Sequence, residues 1–504
     1  MLIGTDSTGA ACIKITKGSI NPVTEPDGNR SSFLYNSKLA ADVKLAATDS
    51  TNYQSGNRYF PAGSNANTYK KASLEYGPSG SGATYIGVRN SYFGDDLMYA
   101  LPVFDIKIRL KSNNRYIEQL RTRYEGSDSG LGQEPYYIES SDVGIAAWFE
   151  NTPSEGGNNP GIGNGVSYAG FVPRGSGSDE IEKELIVWRL PADNTPIMDG
   201  SPKAPVSGQR SVEITKDFCR VAKPGYDTRS ATRTQLAFDS SGRPLSVLAG
   251  DDIALPAGTT SYNLGFPVTP NMLADLFPYQ NDVVTFPMGR LNTALEVQYW
   301  FSGSSIFFLN ALGSSIRVRF MVFANDREPL TSGTNKVFRQ FTAGGQNVMQ
   351  LLRPGASSTP AFRDIMLDSR WPCLQILAQG YQSIAARPNA SPPGGANAGQ
   401  TFSVDFNPAG VFPIVKYMTV HQHKDLGKCV KFPQTLITEN YNGSTVYHQG
   451  NSTYCQIEGG TATFRTFNGN PQKERFTDRD GWRFEYVDDP IIGIRYYILG
   501  IPQL

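Results

Sequence analysis

The sequence predicts a mainly β chain of three tandem β-sandwich-like domains with long loop insertions. Three observations lead there. The 504 residues include 51 Gly and 33 Pro, which interrupt long helices and suit strands joined by ordered turns. One turn-and-strand signature opens three times along the chain, and a β-branched, aromatic run of strand length follows each opening.

The openings are FLYNSKLAADVKLA at 33–46, LAFDSSGRPLSVLA at 236–249 and IMLDSRWPCLQILA at 365–378. In each, Asn36-Ser37, Asp239-Ser240 or Asp368-Ser369 supplies side chains that bond back to nearby backbone and hold a turn. Val43 and Leu45, Leu245 and Val247, and Leu374 and Ile376 then alternate as in a strand with one buried face. The apolar run starts one residue later in the first copy, which points to a longer turn or a bulge.

The closing runs are LIVWRLP at 185–191, IRVRFMVFA at 316–324 and IRYYILGIP at 494–502. In the second, Ile316, Val318 and Phe320 are expected in the core, with Arg317 and Arg319 in water. Between openings and closings, LPVFDIKIRL at 101–110, SYNLGFPVTP at 261–270 and HKDLGKCVKFPQ at 423–434 read as corresponding edge segments, since Pro favours sheet edges. Two short helices are expected, IEQLRTRYE at 117–125 and TPNMLADLF at 269–277, the latter with Thr269 as cap and Pro270 in the first turn.

This length exceeds what one hydrophobic core supports. The expected units are 1–196, an N-terminal β-rich domain with a Gly-rich insertion, then 212–329, a central β-sandwich-like domain, and 330–504, a C-terminal β-rich domain. The Gly, Asn, Ser and Pro of 151–180 and the segment NASPPGGANAGQ read as exposed excursions, suited either to recognising a partner or to passive insertion.

The 46 basic and 46 acidic residues cancel, and neither sign forms a block, so no nucleic-acid partner is expected. The five scattered cysteines contain no CxxC pair and oppose a disulfide framework. MLIGTDSTGAACIKITKGS reads as no secretory leader, and no run approaches the roughly 20 apolar residues of a membrane helix, so no membrane insertion is expected.

Candidate chemistry is sparse. His421 and His423 would share one side of a strand, with His448 nearby in sequence, but the spacing specifies no further ligands and no metal site is expected. Glu485, Asp488 and Asp489 adjoin Trp482 and Tyr486, a combination able to contact sugar or form a charged turn; hydrolysis would need two carboxyls held across one bond. No GxSxG elbow, Walker loop or dinucleotide loop is present, so no catalytic residue and no cofactor are expected. Tyr59, Tyr69 and Tyr76, like Trp482 and Tyr486, are candidates for glycan or partner contact, with sheet packing as the competing role.

At the three turns, the closing RYYILGIP and the opening MLIGTDSTGAACIKITKG followed by SSFLYNSK, the sequence resembles small β-domains of tail-tip, baseplate and other virion-associated proteins of tailed bacteriophages. It departs from that pattern in the missing L-G turn of the first unit and the long first insertion. The resemblance implies a noncatalytic structural component of a phage tail or baseplate, assembled in the host cytoplasm and carried in the virion. Its implied partners are other tail or baseplate proteins and further copies of itself, with a host surface glycan where loops serve attachment. A glycan receptor-binding protein and an envelope-polysaccharide hydrolase are the alternatives.

Overall fold

In the computed structural model the chain is mainly β and, among the described residues, every strand pair is antiparallel, with two 3-10 turns and no α-helix. The structure describes residues 1–38, 44–50, 86–88, 103–110, 113–117, 123–125, 133–139, 145–150, 165–166, 181–189, 206–215, 218–222, 225–231, 236–239, 247–286, 297–310, 313–324, 328–333, 337–372, 374–385, 397–423, 427–431, 437–441, 444–448, 451–468, 472–478, 481–487 and 490–503.

Each opening signature is the last strand of a small three-stranded sheet. The sheets are Leu2–Thr5, Ala11–Thr16 and Phe33–Asn36; Val212–Ile214, Cys219–Ala222 and Leu236–Asp239; and Phe338–Ala343, Gln346–Leu352 and Ile365–Asp368. Their registers coincide. Lys14, Arg220 and Gln350 face Asn36, Asp239 and Asp368, while Ile15, Val221 and Leu351 face Tyr35, Phe238 and Leu367. One residue is then skipped in each, Leu34, Ala237 or Met366, which makes the same bulge three times.

The serine turns extend this ladder. Ser37 donates its N–H to the Ile13 carbonyl at 2.9 Å, and its hydroxyl accepts the Ile13 N–H at 3.0 Å. Ser369 does the same to Met349, at 2.9 and 3.1 Å. The preceding Asn36 and Asp368 accept the backbone N–H groups of Lys38 and Arg370 at 3.0 and 2.9 Å, as expected of an Asx turn. Ser240 lies outside the described residues. Ile13, Ile15, Tyr35, Val221, Leu351, Met366 and Leu367 form one apolar cluster, so the three sheets share a core.

The strand after each turn pairs with the closing strand of the same copy: Lys44–Ser50 with Ile181–Arg189, Val247–Leu255 with Ile316–Ala324, and Gln375–Ser383 with Ile491–Pro502. Ala46, Leu248 and Leu377 bulge out of these ladders. The stretch from turn to bulge is one residue longer in the first copy, which accounts for the offset in its sequence.

On its other side each closing strand takes a middle strand, Val103–Leu110, Met272–Tyr279 or Val411–His423. The first falls where the sequence places it. The other two do not: Met272–Tyr279 and Val411–His423 replace the segments expected at 261–270 and 423–434. The helix expected at 269–277 is also corrected, because Met272–Tyr279 is a strand buried at all eight positions. Burial on both faces removes the alternation that identifies a strand, and the Thr269-Pro270 start then imitates a helix cap. In the other expected helix, Tyr116–Ile117 and Arg123–Glu125 are strands, and 118–122 lie outside the described residues.

Pairing also runs between the sequence spans. A seven-stranded sheet joins Lys44–Ser50, Ile181–Arg189, Val103–Leu110 and Tyr116–Ile117 to Val297–Ser302, Ser305–Asn310 and Gly258–Asn263. A four-stranded sheet joins Val283–Phe286 to Asn451–Glu458, Thr461–Asn468 and Asn397–Asp405. In both, the strand after one copy's middle strand reaches the hairpin of the next copy. The two large apolar clusters likewise combine residues 247–323 with 374–501, and 248–322 with 352–371. Close packing sets local residue choice: Gly380 lies opposite Tyr496, and a Cβ there would strike the Tyr496 ring.

Candidate functional site

Three buried ionic arrangements hold this frame. Asp275, on the middle strand of the second copy, contacts Lys107 through Oδ1 and Lys416 through Oδ2, the latter at 2.7 Å, with all three side chains 2–3% exposed. Lys107 and Lys416 lie on the other two middle strands. Burial opposes ionisation of Asp275, yet the two ammonium groups and their hydrogen bonds hold its carboxyl below the usual carboxylate range. This is a junction between strands from all three copies.

Near the chain start, Lys14 bonds Asp6 and Asp27 at 2.8 Å each, and Lys38 bonds the same carboxylates at 2.7 and 2.6 Å. Burial again works against the Asp6 charge, and the lysines with Thr8 overcome it, keeping its carboxyl well below the usual range. Balanced charge makes this a closed cage that fastens the first small sheet.

The third arrangement revises the alternation read from IRVRFMVFA. Ile316, Val318 and Phe320 are buried and Arg317 is exposed, as expected. Arg319 is not left in water: its Nε donates to Asp252 at 2.9 Å and its guanidinium to the Pro413 carbonyl at 2.8 Å. It ties the second closing strand to the third middle strand.

Cys12 and Cys455 are buried free thiols, and burial pushes Cys12 up to about 11. Both are poorly suited to nucleophilic work. His421 and His423 lie in the strand Val411–His423, and His448 lies in the hairpin Ile437–Tyr441 with Ser444–His448, opposite Ile437. Among the described residues no group of three or more His, Cys, Asp or Glu is placed to hold a metal. No described helix is long and apolar enough to cross a membrane.

Of the predicted contact residues, Trp482 and Tyr486 share the strand Gly481–Val487, facing Thr477 and Lys473 of Gln472–Asp478. Tyr59, Tyr69 and Tyr76 lie outside the described residues.

The site that sequence reasoning missed lies on the seven-stranded sheet. Trp300 faces Phe307 across the hairpin, and their rings stack at 5.4 Å between centroids with 9° between planes. The Arg115 guanidinium lies over the Trp300 ring at 4.4 Å and donates to Gln298 at 3.4 Å. Ser261 of the sheet-end strand faces Phe307 from the other side. The inward face of the same strands buries Tyr299, Ile306 and Phe308 completely, whereas Trp300 and Phe307 are only partly covered. The available signal was the alternation in VQYWFS, which places Trp300 beside Gln298 on the outward face.

No family model, curated protein or solved structure matches this chain.

Proposed function

We propose that the chain is a noncatalytic structural component of a phage tail or baseplate, present in several copies and built into the virion after assembly in the host cytoplasm. The observation that supports this most is the threefold repetition of one frame. Three small sheets share one register and one core, and three opening, closing and middle strands pair alike. Chain length varies at fixed points instead. Between the outer hairpin and the closing strand lie 151–180 in the first copy, 311–315 in the second and 469–490 in the third.

That division suits an assembly part. The frame keeps its faces in place for burial against neighbouring subunits, and the excursions meet whatever lies outside, with no chemical step. The buried ions serve the same end, since each arrangement ties separate segments of the chain together.

Mixing the purified chain with purified tail proteins of its particle tests the proposal. A stable complex of fixed stoichiometry is expected on size exclusion with light scattering. Separate elution of all components at micromolar concentration would contradict it, as would release of new reducing ends from envelope polysaccharide by the chain alone.

A further inference from the structure

Arg115, directly before the strand Tyr116–Ile117, forms one row with Trp300, Phe307 and Ser261 of three adjacent strands of the seven-stranded sheet, Arg115 being supplied by the first copy and the rest by the second. The third copy contains the same row in the same register. There Thr285 faces Gln456, Gln456 faces Thr463, and Thr463 faces Ser403. The hairpin turns match as well, Ser302 pairing with Ser305 and Glu458 with Thr461.

Inward positions are buried in both copies, Tyr299 and Phe308 corresponding to Cys455 and Phe464, all four fully buried. Outward positions differ, because the third copy forms the same sheet with Gln456 and Thr463, whose neighbour Ser403 bonds Thr463 at 3.0 Å. The frame therefore does not require Trp300 and Phe307. A cross-strand aromatic pair adds little to a sheet beyond its buried area, so the rings are more than the fold demands.

Their surroundings define a ligand. The ring stack is backed by a cation at Arg115 and ends at the small, exposed Ser261, which pairs with Phe307. Thr259, Ser261 and Asn263 are exposed along that sheet-end strand, and Gln298 lies beside Trp300. An apolar ring surface bordered by hydroxyl, amide and guanidinium groups fits a molecule with one C–H face and a rim of hydroxyls. We propose that this row is a glycan-binding site. It takes an oligosaccharide with one pyranose ring against Phe307, Ser261 and Thr259 bonding the hydroxyls of that ring, and Gln298 and Arg115, on the other side of Trp300, bonding a hydroxyl or carboxylate of a neighbouring sugar unit. The site goes beyond the structural role and does not depend on the particle to which the chain belongs.

The test uses the full chain on an array of defined pyranose oligosaccharides, followed by calorimetric titration of the strongest ligand. The double variant Trp300→Gln with Phe307→Thr installs the residues of the third row, and Ser261→Trp fills the open end while retaining both rings. Saturable binding weakened at least about tenfold in both variants, with thermal unfolding close to wild type in at least one, is the expected result. Absence of binding to every oligosaccharide would overturn the site, as would equal affinity in a folded variant. Gln456→Ala, in the polar row, should leave binding unchanged.

Discussion

Asp275 and Lys416 meet at 2.7 Å with both side chains 3% exposed, and the same carboxylate also holds Lys107. Middle strands far apart in sequence are thus joined through one anion. Removing it leaves two buried ammonium groups close together. Asp275→Asn should destabilise the chain by about 3–5 kcal/mol, read as a lowered urea midpoint. Unfolding indistinguishable from wild type would show that the junction carries no load.

The same residue sets a pH dependence. Its pKa is lower in the folded chain than the ordinary value of 3.8, so the folded state holds fewer protons at this site. Its contribution is fully present above that ordinary value and is lost as pH falls through the lowered folded value. Asp6 acts in the same direction. Wild-type stability should therefore fall steeply with acidification below the ordinary carboxylate range, and Asp275→Asn should show a shallower fall. Denaturation midpoints measured across that acidic range check the sign.

Ser37 and Ser369 each close their small sheet with a backbone bond and a hydroxyl bond. Replacing either with Ala leaves an N–H of the facing strand without that acceptor, at a cost of about 1–3 kcal/mol. Similar losses in Ser37→Ala and Ser369→Ala are expected in paired unfolding experiments. An effect in only one would mean the two turns are not equivalent.

Phe320 and Tyr497 are fully buried in their closing strands. Phe320 packs against Tyr262 and Phe308 at 5.0 and 5.1 Å, and Tyr497 accepts a bond from Arg495 at 2.8 Å. An unpaired aspartate at either position should abolish cooperative unfolding, since a buried charge replaces ring contacts. Calorimetry of Phe320→Asp and Tyr497→Asp checks this by loss of the main transition.

The parts legible in the sequence are those encoded locally. Asn36-Ser37 and Asp368-Ser369 bond within a few residues or to the adjacent strand, and Ile316, Val318 and Phe320 alternate because that end of their strand has one wet face. Met272–Tyr279 was not legible because it is covered on both sides and carries no period. The joining of Tyr116–Ile117 to Val297–Ser302 was hidden for a different reason. Strand exchange depends on complementarity between distant edges, and neither segment signals its partner. Arg115 and Trp300 become one site only through that pairing.

Residue-resolution density of the intact particle tests the structural assignment most directly. This chain is expected within the tail or baseplate in several copies, with its repeated sheets against neighbouring subunits and its excursions facing outward. A complete particle whose density contains no copy of it would contradict the assignment.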